Sequence, residues 1–416
     1  MGAKSFLTLD DFDVKGKTVI VRVDVNSPVD AKTHSITDDS RLRQHAVTLD
    51  RLLKAGAKVV VLAHQGRRGE PDFISLKAHA ETFSKLLGRS VKYVDDIFGG
   101  KARREIRSLK EGEVLVLENV RFWPEETREK TPEEHAQSAL VKNLAPLADL
   151  FVNDAFAAAH RAHASMVGFT AVLPSAAGPV MEGELNALRR VHEAAEKPCV
   201  YVLGGAKADD AVEMTSAVLG RGIADKVLPC GVIGQVFLKG RGLDLGVPNE
   251  SLLKDKGYDK YAASASKLLA QFGEKIQTPL DVAVKLPTGG RDEVLVDDLP
   301  TRYPIQDIGR ETIQDFSRIL RGAKTIVISG PAGVYEEPGF EAGTRAVFEA
   351  SVRSGAFVVI GGGHTVAAAE EFGYADKVSY VSTAGGAFIE FLIKGTLPAI
   401  EALERAAQRR QIQKRG

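Results

Sequence analysis

The chain has 416 residues, with 55 basic and 55 acidic side chains and no formal net charge at neutral pH. This balance argues against nonspecific binding to nucleic acid or membrane as the main task. Two cysteines, Cys199 and Cys230, are too few for a disulfide framework, and no apolar run reaches the ~18 residues of a membrane helix. We therefore expect a soluble, cytoplasmic protein of two or three domains, with neither nucleic acid nor membrane as a partner.

The first half of the chain alternates strand-like and helix-like segments. Apolar, β-branched runs at 18–25 and 57–63 predict strands, and helical periodicity predicts helices at 41–55, 76–87 and 131–147. Such alternation is typical of βαβ units, which build a parallel sheet with helices on both faces. The first half is therefore predicted to be an α/β domain.

Polar side chains fall at or just beyond the ends of these predicted strands. They are Asp24, Asn26, His64, Arg67, Arg121, His160, Arg161 and His163. Arg41 begins the first helix, whereas Arg22 lies within the first strand and its role is less clear. Ligands of open α/β sheets bind beyond the carboxyl ends of the strands, and guanidinium groups suit phosphate or carboxylate. We therefore predict an anion site here. Alternatively, each arginine is a solvated surface charge, and His160 and His163 are structural.

A linker is predicted at 179–198. Pro174, Gly178 and Pro179 interrupt the preceding structure, and an amphipathic helix is expected to begin near Met181 and end before Pro198. We interpret this helix as a hinge between two domains. The alternative is a surface helix within one large domain.

The second half carries glycines where the first carries arginines. The strand-like run 199–203 ends in Gly204 and Gly205, with Lys207 at the start of the next helix, and several later runs also end in glycine-rich turns. Such turns let backbone N–H groups approach an anion at a helix N-terminus, which predicts a nucleotide or phosphate site. Neither the Walker nor the dinucleotide fingerprint is present, which disfavours a Walker-type ATPase and a nicotinamide dehydrogenase. The end of the chain, 397–416, is predicted to be a basic helix.

Several motifs together resemble those of phosphoglycerate kinase, most closely its archaeal form. They are VIVRVDVNSP, LAHQGR, VLENVRF, FVNDAFAAAHRAHASMVG, AGPVMEGEL, LGGAK, ISGPAGVYE and GGGHTVAA. The resemblance implies two Rossmann-like domains, each a parallel sheet with helices on both faces, facing across a cleft and joined by a hinge helix. Residues 1–178 would bind phosphoglycerate and 199–396 the nucleotide, with the tail 397–416 packing back on the first domain.

The resemblance also implies a reaction and its residues. The reaction would be reversible phosphoryl transfer between 1,3-bisphosphoglycerate and ADP, with hinge closure excluding water and Mg²⁺ bound mainly through the nucleotide phosphates. Arg41 and Lys207 would be catalytic. The implied phosphoglycerate ligands are Asp24, Asn26, Arg41, His64, Arg67, Arg121 and Arg161. The implied nucleotide ligands are Gly205, Lys207, Glu336, Gly362, Gly363, His364 and Thr365. The chain is expected to be a monomer or homodimer.

Two departures from the family pattern bear on the nucleotide site. His364 stands where the family usually has the aspartate that helps to hold magnesium, and Ala211 stands where many members have a second lysine. Histidine is a poor ligand for Mg²⁺, which prefers oxygen, so no protein ligand of the metal is assigned. These departures leave open a binding protein that keeps both ligand sites but has lost turnover.

Overall fold

The computed structural model describes residues 5–30 and 32–415, the last three of them as backbone only. The described chain forms two compact units. Unit 1 comprises the described residues up to Asn186 together with those from Thr396 onward, and unit 2 runs from Ala187 to Gly395. Within the described residues, no helix is both long enough and apolar enough to cross a membrane.

Unit 1 contains a six-stranded sheet in which every pair of neighbours is parallel, in the order β3-β4-β2-β1-β5-β6. Its strands are β1 (Thr18–Arg22), β2 (Lys58–Leu62), β3 (Lys92–Tyr93), β4 (Val114–Val116), β5 (Leu150–Asn153) and β6 (Ser175–Ala177). Side chains alternate between the two faces of a strand. Accordingly Val19 and Val21 belong to one apolar cluster and Ile20 to another, and both faces of the sheet are covered.

The helices of unit 1 follow the strands in sequence. They are α1 (Ser40–Lys54), α2 (Lys77–Leu87), α3 (Gly100–Ser108), α4 (Pro132–Ala136), α5 (Ala139–Leu144) and α6 (Ala164–Val167). The single helix predicted at 131–147 was wrong. Ser138 interrupts it, because its side chain caps α5 by accepting from the Val141 N–H at 3.4 Å. A 3₁₀ turn, Ala145–Leu147, then ends the segment.

Unit 2 has a main sheet of five parallel strands, in the order β14-β13-β12-β7-β8, and a separate antiparallel sheet of three, in the order β10-β9-β11. Its strands are β7 (Cys199–Leu203), β8 (Lys226–Pro229), β9 (Asp281–Lys285), β10 (Arg291–Leu295), β11 (Ile305–Ile308), β12 (Thr325–Ser329), β13 (Phe357–Gly361) and β14 (Tyr380–Val381). The two parallel sheets confirm the predicted α/β class. The antiparallel sheet was not predicted.

Unit 2 holds the rest of the helices apart from the two at the boundaries of the units. They are α8 (Ala208–Gly220), α9 (Gly231–Gly240), α10 (Val247–Asp255), α11 (Ala262–Phe272), α12 (Arg310–Arg321), α13 (Ala342–Arg353), α14 (Gly363–Glu371) and α15 (Gly386–Lys394). Helices α8 and α14 begin just after the short turns that follow β7 and β13. The helix N-termini therefore lie at the carboxyl ends of the parallel strands.

Two helices lie at the boundaries of the units. Helix α7 (Pro179–Glu193) contains the boundary between Asn186 and Ala187. It ends earlier than expected, and the Glu196 carbonyl beyond it accepts a hydrogen bond from Thr325 Oγ1 at 2.9 Å. Helix α16 (Pro398–Arg415) packs on unit 1, where the Ala399 N–H donates to the Ala159 carbonyl at 3.1 Å.

Candidate functional site

The predicted polar residues of unit 1 follow four strands that are adjacent in its sheet, β4, β2, β1 and β5. Asp24 is buried and accepts a hydrogen bond from the Arg41 guanidinium and another from the Asn26 N–H at 3.1 Å. The Asn26 Oδ1 in turn accepts from the Gly66 N–H at 2.7 Å. The turns after β1 and β2 are therefore joined through the very residues that were predicted as ligands.

Arg121 extends this group from the turn after β4. Its Nη1 donates to the Gly66 carbonyl at 2.7 Å. Burial lowers the pKa of Arg121 to about 10, and the nearby Arg22 adds to the effect. Arg67 and Arg161 are exposed. The structure thus holds some of these arginines by internal hydrogen bonds and leaves Arg67 and Arg161 facing solvent.

Arg22, whose role the sequence left unclear, is the centre of a buried polar network. Its Nε donates to Ser165 Oγ at 2.9 Å and its Nη2 donates to His64 Nδ1 at 2.8 Å. The Ser165 hydroxyl donates to Glu126 Oε1 at 2.6 Å. Burial raises the pKa of Glu126 to about 7, although Arg22 opposes the shift. Ser165 and Glu126 were not predicted, and no local sequence signal marks them.

Two of the predicted histidines, His64 and His163, are held neutral by their surroundings. Burial lowers the pKa of His64 well below its usual value, and Arg22 and Arg121 lower it further. Because Nδ1 of His64 accepts from Arg22, its ring proton is on Nε2. Burial likewise lowers the pKa of His163 to about 3, with Arg121 adding to it, and its Nε2 lies 3.3 Å from Glu129 Oε1. His160 is half-buried.

One further residue of this region was missed. His45, on the buried face of α1, accepts from the Asp24 N–H at 3.2 Å through Nε2, and its Nδ1 lies 2.9 Å from Asp154 Oδ2. Nδ1 must therefore carry the proton and donate it to Asp154. His45 ties the turn after β1 to the turn after β5. Its spacing of four from Arg41 on one helix is the only sequence signal that could have found it.

Unit 2 builds its candidate site from backbone rather than from side chains. The turn after β7 packs directly on the turn after β12, with the Gly205 N–H donating to the Pro331 carbonyl at 2.9 Å. A Cβ on Gly204 would lie 2.2 Å from the Pro331 carbonyl oxygen, and one on Gly330 would lie 2.1 Å from the Gly204 oxygen. Glycine is therefore required at both positions.

A cavity of about 290 Å³ lies beside these turns, wholly within unit 2. It brings together all the predicted nucleotide ligands: Gly205, Lys207, Glu336, Gly362, Gly363, His364 and Thr365. Buried Thr365, at the start of α14, accepts from the Gly330 N–H at 2.7 Å. The side chains of Lys207 and His364 are 66% and 84% exposed, so both are accessible to a ligand.

The charged groups at the cavity include Asp210, which was not predicted as a ligand. Asp210 lies 4.0 Å from Lys207 across one turn of α8. Burial raises the pKa of Asp210, with Asp209 adding to the effect. Glu336 lies 3.9 Å from His364 Nδ1. Ala211, where a second lysine is common in the family, is buried and also lines the cavity.

The donor set fits a metal ion that is held mainly by its nucleotide. Among the described residues, no group of three or more His, Cys, Asp or Glu side chains has the geometry of a metal site. The cavity does have two accessible carboxylates, Asp210 and Glu336, with side chains 37% and 54% exposed. Carboxylate oxygen suits Mg²⁺, and Mg²⁺ commonly binds through one or two carboxylates together with substrate phosphates.

One parallel-sheet unit with arginines beyond its strand ends and another with a glycine-walled cavity are the features expected of a two-unit α/β phosphotransferase. The family model described as phosphoglycerate kinase matches residues 9–395. Phosphoglycerate kinase from Methanothermobacter thermautotrophicus is 49% identical over 96% of this chain and 97% of its own. That from Methanosarcina mazei is 47% identical over 99% and 98%.

Solved structures give the same result. The crystal structure of phosphoglycerate kinase from Pyrococcus horikoshii OT3 has a TM-score of 0.87 at 40% identity, covering 97% of this chain and 99% of that one. The structure of the enzyme from Coxiella burnetii has a TM-score of 0.82 at 33% identity, covering 97% and 100%. The chain belongs to the phosphoglycerate kinase family. The resemblance seen in its motifs, the Rossmann-like fold and the phosphotransferase class are thereby confirmed.

Proposed function

We propose that this protein catalyses reversible phosphoryl transfer between 1,3-bisphosphoglycerate and ADP, giving 3-phosphoglycerate and ATP, as a cytoplasmic step of glycolysis and gluconeogenesis. The observation that carries the proposal is the group of Asp24, Asn26, Arg41 and Arg121, which hydrogen bonds join, in part through Gly66, beyond the carboxyl ends of the adjacent strands β1, β2 and β4. The chain belongs to the phosphoglycerate kinase family, and its second unit carries a glycine-walled cavity. Helix α7 is the linker between the two substrate-binding units.

In unit 1, the arginines and the His64 Nε2–H supply the hydrogen-bond donors for phosphoglycerate. Arg67 and Arg161 are exposed and free to bind the phosphate, while Arg121 is already oriented by the Gly66 carbonyl. Guanidinium groups form paired hydrogen bonds with phosphate and carboxylate oxygens, each worth about 1.5–3 kcal/mol when charged. Arg41, oriented by Asp24, binds the carboxylate and the phosphoryl group in transfer.

In unit 2, backbone N–H groups at the start of α14 and the ammonium of Lys207 bind the nucleotide phosphates. Glu336 accepts hydrogen bonds from the ribose hydroxyls. Asp210, which lies next to Lys207, would supply a carboxylate oxygen to a Mg²⁺ ion bound by the phosphates. When bound, the ion neutralises charge on the phosphate oxygens.

The residues present suit a reaction that needs no protein nucleophile and no general base. The accepting carboxylate carries no proton, and phosphoryl transfer passes through a loose transition state with charge spread over the equatorial oxygens. Catalysis then depends on in-line positioning and on electrostatic stabilisation by Arg41 and Lys207. Accordingly, the histidines near the site act as neutral hydrogen-bonding groups rather than as proton carriers.

A second candidate function is binding without turnover. It is favoured by His364 in place of an oxygen ligand and by Ala211, which removes one positive charge from the cavity wall. Such a protein would bind ADP and 3-phosphoglycerate yet transfer no phosphoryl group.

The first test is ATP- and Mg²⁺-dependent turnover of 3-phosphoglycerate by the full chain and by Arg41→Ala and Lys207→Ala. We expect each substitution to lower kcat by about 10²–10³-fold, the usual loss when one group that stabilises transition-state charge is removed. Arg43→Ala and Lys254→Ala are the controls, because both residues are exposed and lie outside the site on α1 and α10. Binding of both ligands without turnover by the unaltered chain would make the second candidate the correct one.

A further inference from the structure

The small antiparallel sheet of unit 2 has no role in the reaction as described so far. It contacts the segment 330–341 between β12 and α13, which carries Glu336 (the Glu336 segment). In strand β11, the Gln306 carbonyl accepts from the Val334 N–H at 2.7 Å. The next residue, Asp307, accepts from the Gly343 N–H at 2.8 Å through Oδ2. The sheet thus holds the chain both before and after Glu336.

Arg291, on strand β10, completes this attachment. Its Nη1 donates to Asp307 Oδ2 at 2.8 Å and to the Gly339 carbonyl at 2.9 Å, and its Nη2 donates to the Ile308 carbonyl at 2.9 Å. One guanidinium therefore joins strand β11 to the Glu336 segment. Lys285, on β9, adds an ion pair with Glu337, the residue next to Glu336.

Two glycines, Gly333 and Gly343, are packed closely against the Asp307 carboxylate. A Cβ on Gly333 would lie 2.5 Å from Asp307 Oδ1, and a Cβ on Gly343 would lie 2.2 Å from the same atom. The Asp307 side chain is fully buried. Burial raises the pKa of Asp307 to about 6, although Arg291 and the Gly343 N–H oppose the shift. A buried carboxylate of this kind depends on its partner, because an unpaired buried charge is strongly unfavourable.

Within the described residues, the Glu336 side chain itself makes no hydrogen bond or ion pair with the antiparallel sheet. It is 54% exposed, lies 3.9 Å from His364 Nδ1 and shares a side-chain hydrogen bond with Tyr335, which belongs to the same segment. Its position is therefore set by the backbone of the segment, which is anchored at Val334 on one side and at Gly339 and Gly343 on the other.

We infer that Arg291 and Asp307 are positioning residues for the nucleotide, because together they fix the segment that presents Glu336 to the ribose. This inference rests on the proposed role of Glu336. It assigns the antiparallel sheet to nucleotide recognition. Strand β11, including Asp307, lines the cavity, whereas Arg291 and the rest of β10 lie outside the lining.

The test is Asp307→Asn in the full chain, which keeps the shape of the side chain but removes its charge. We expect the KM for ADP to rise about tenfold or more, the loss expected when a hydrogen bond to a charged group is removed, and the KM for the phosphoglycerate substrate to stay unchanged. The preference for ADP over 2′-deoxy-ADP should also shrink, since the ribose contact is the one displaced. Arg291→Lys is the second variant. It keeps the positive charge, but a single ammonium group cannot make all three hydrogen bonds. It should therefore also raise the KM for ADP.

Asp281→Asn is the matched control. Asp281 is also buried, lies on the neighbouring strand β9 and caps α12 through the N–H groups of Glu311 and Thr312 at 3.0 and 2.8 Å. Asp281→Asn should weaken this cap and so lower the stability of the protein, but it should not change the KM for ADP. If Asp307→Asn and Arg291→Lys behave like Asp281→Asn while Glu336→Gln raises the KM for ADP, the positioning inference is wrong and the nucleotide site stands. If Glu336→Gln also has no effect, the proposed role of Glu336 is wrong.

Discussion

The two units place their candidate sites at the same topological position but build them from different materials. Unit 1 uses side chains that are already hydrogen-bonded to each other, such as buried Arg22 with His64 and buried Asp24 with Arg41. Unit 2 uses backbone turns and a helix N-terminus, with Lys207 and His364 exposed. Side-chain sites depend on which residues are present, whereas backbone sites depend on how closely the chain can approach itself. The two sites should therefore fail in response to different substitutions.

The largest expected effect comes from breaking the backbone of unit 2 at Gly330. A Cβ in Gly330→Ala would meet the Gly204 carbonyl oxygen at 2.1 Å, at a residue with a φ of +95°. The turns after β7 and β12 must then separate. We expect the affinity for ADP to fall by about 100-fold, the scale of loss for a site displaced by ~1 Å, with phosphoglycerate binding unchanged. Isothermal titration of each ligand would measure both.

Gly373→Ala is the control for backbone strain alone. Gly373 has a φ of +71°, and no described atom lies within 4 Å of an added Cβ. It should cost stability, about 1 kcal/mol, but leave ADP binding intact. If Gly330→Ala binds ADP as the unaltered chain does, close packing of the two turns is not what forms the site.

The two units should also differ in how their stability depends on pH, because the buried histidines are concentrated in unit 1. A histidine whose folded pKa is depressed contributes stability above its unfolded value of ~6.5 and loses it as the pH falls below that value. Burial lowers the pKa of His79 to about 4 and that of His163 to about 3. Each of these two histidines should lower the free energy of unfolding by about 2 kcal/mol at about pH 4.5.

Carboxyl groups with raised pKa values act in the opposite direction. The pKa of Glu126 is raised to about 7, so its protonation on acidification returns part of the loss in unit 1. In unit 2, the pKa of Asp307 is raised to about 6. The lowered pKa of His64 adds to the loss in unit 1. We therefore expect unit 1 to lose at least about 2 kcal/mol of folding free energy between about pH 7 and pH 4.5, and unit 2 to lose less. Hydrogen-exchange protection, corrected for the intrinsic rate, would separate the two units. Equal losses in both would contradict the prediction, and His163→Gln should reduce the loss in unit 1.

The same contrast explains what could be predicted from the sequence. Strand-end arginines and glycine turns are local patterns, so Arg121 and Gly205 were found from residue type and position. The parallel strands were found because β-branched runs such as β2 are buried on both faces. Glu336 came only from the family resemblance, since a single glutamate in a turn carries no pattern.

What the sequence did not predict depends on contacts between distant residues. Arg22 and Ser165 are 143 positions apart, and only the fold brings them together. Strand β10, with the sequence RDEVL, has charged residues on a partly exposed surface and does not resemble the apolar strands of the parallel sheet. The antiparallel sheet and its contact with the Glu336 segment were missed for that reason.

The smallest of these effects is expected from Ser165→Ala, which tests whether the side-chain network of unit 1 is as essential as the backbone of unit 2. The Ser165 hydroxyl accepts from Arg22 Nε at 2.9 Å and donates to Glu126 Oε1 at 2.6 Å, so its removal leaves both charged groups short of a partner. We expect the KM for 3-phosphoglycerate to rise about tenfold and the KM for ATP to stay unchanged, because Arg22 would no longer hold His64 in place.

Ser351→Ala is the matched control for losing a buried serine. The Ser351 hydroxyl is fully buried in α13 of unit 2 and donates only to the Val347 carbonyl, at 2.7 Å. If both variants lose similar stability but only Ser165→Ala raises the KM for 3-phosphoglycerate, the Arg22 network positions the ligands of unit 1. An unchanged KM in Ser165→Ala would mean that Arg22 and His64 are held well enough by the surrounding packing. In that case the contrast between a side-chain site and a backbone site would apply to how the two sites are built, but not to how they fail.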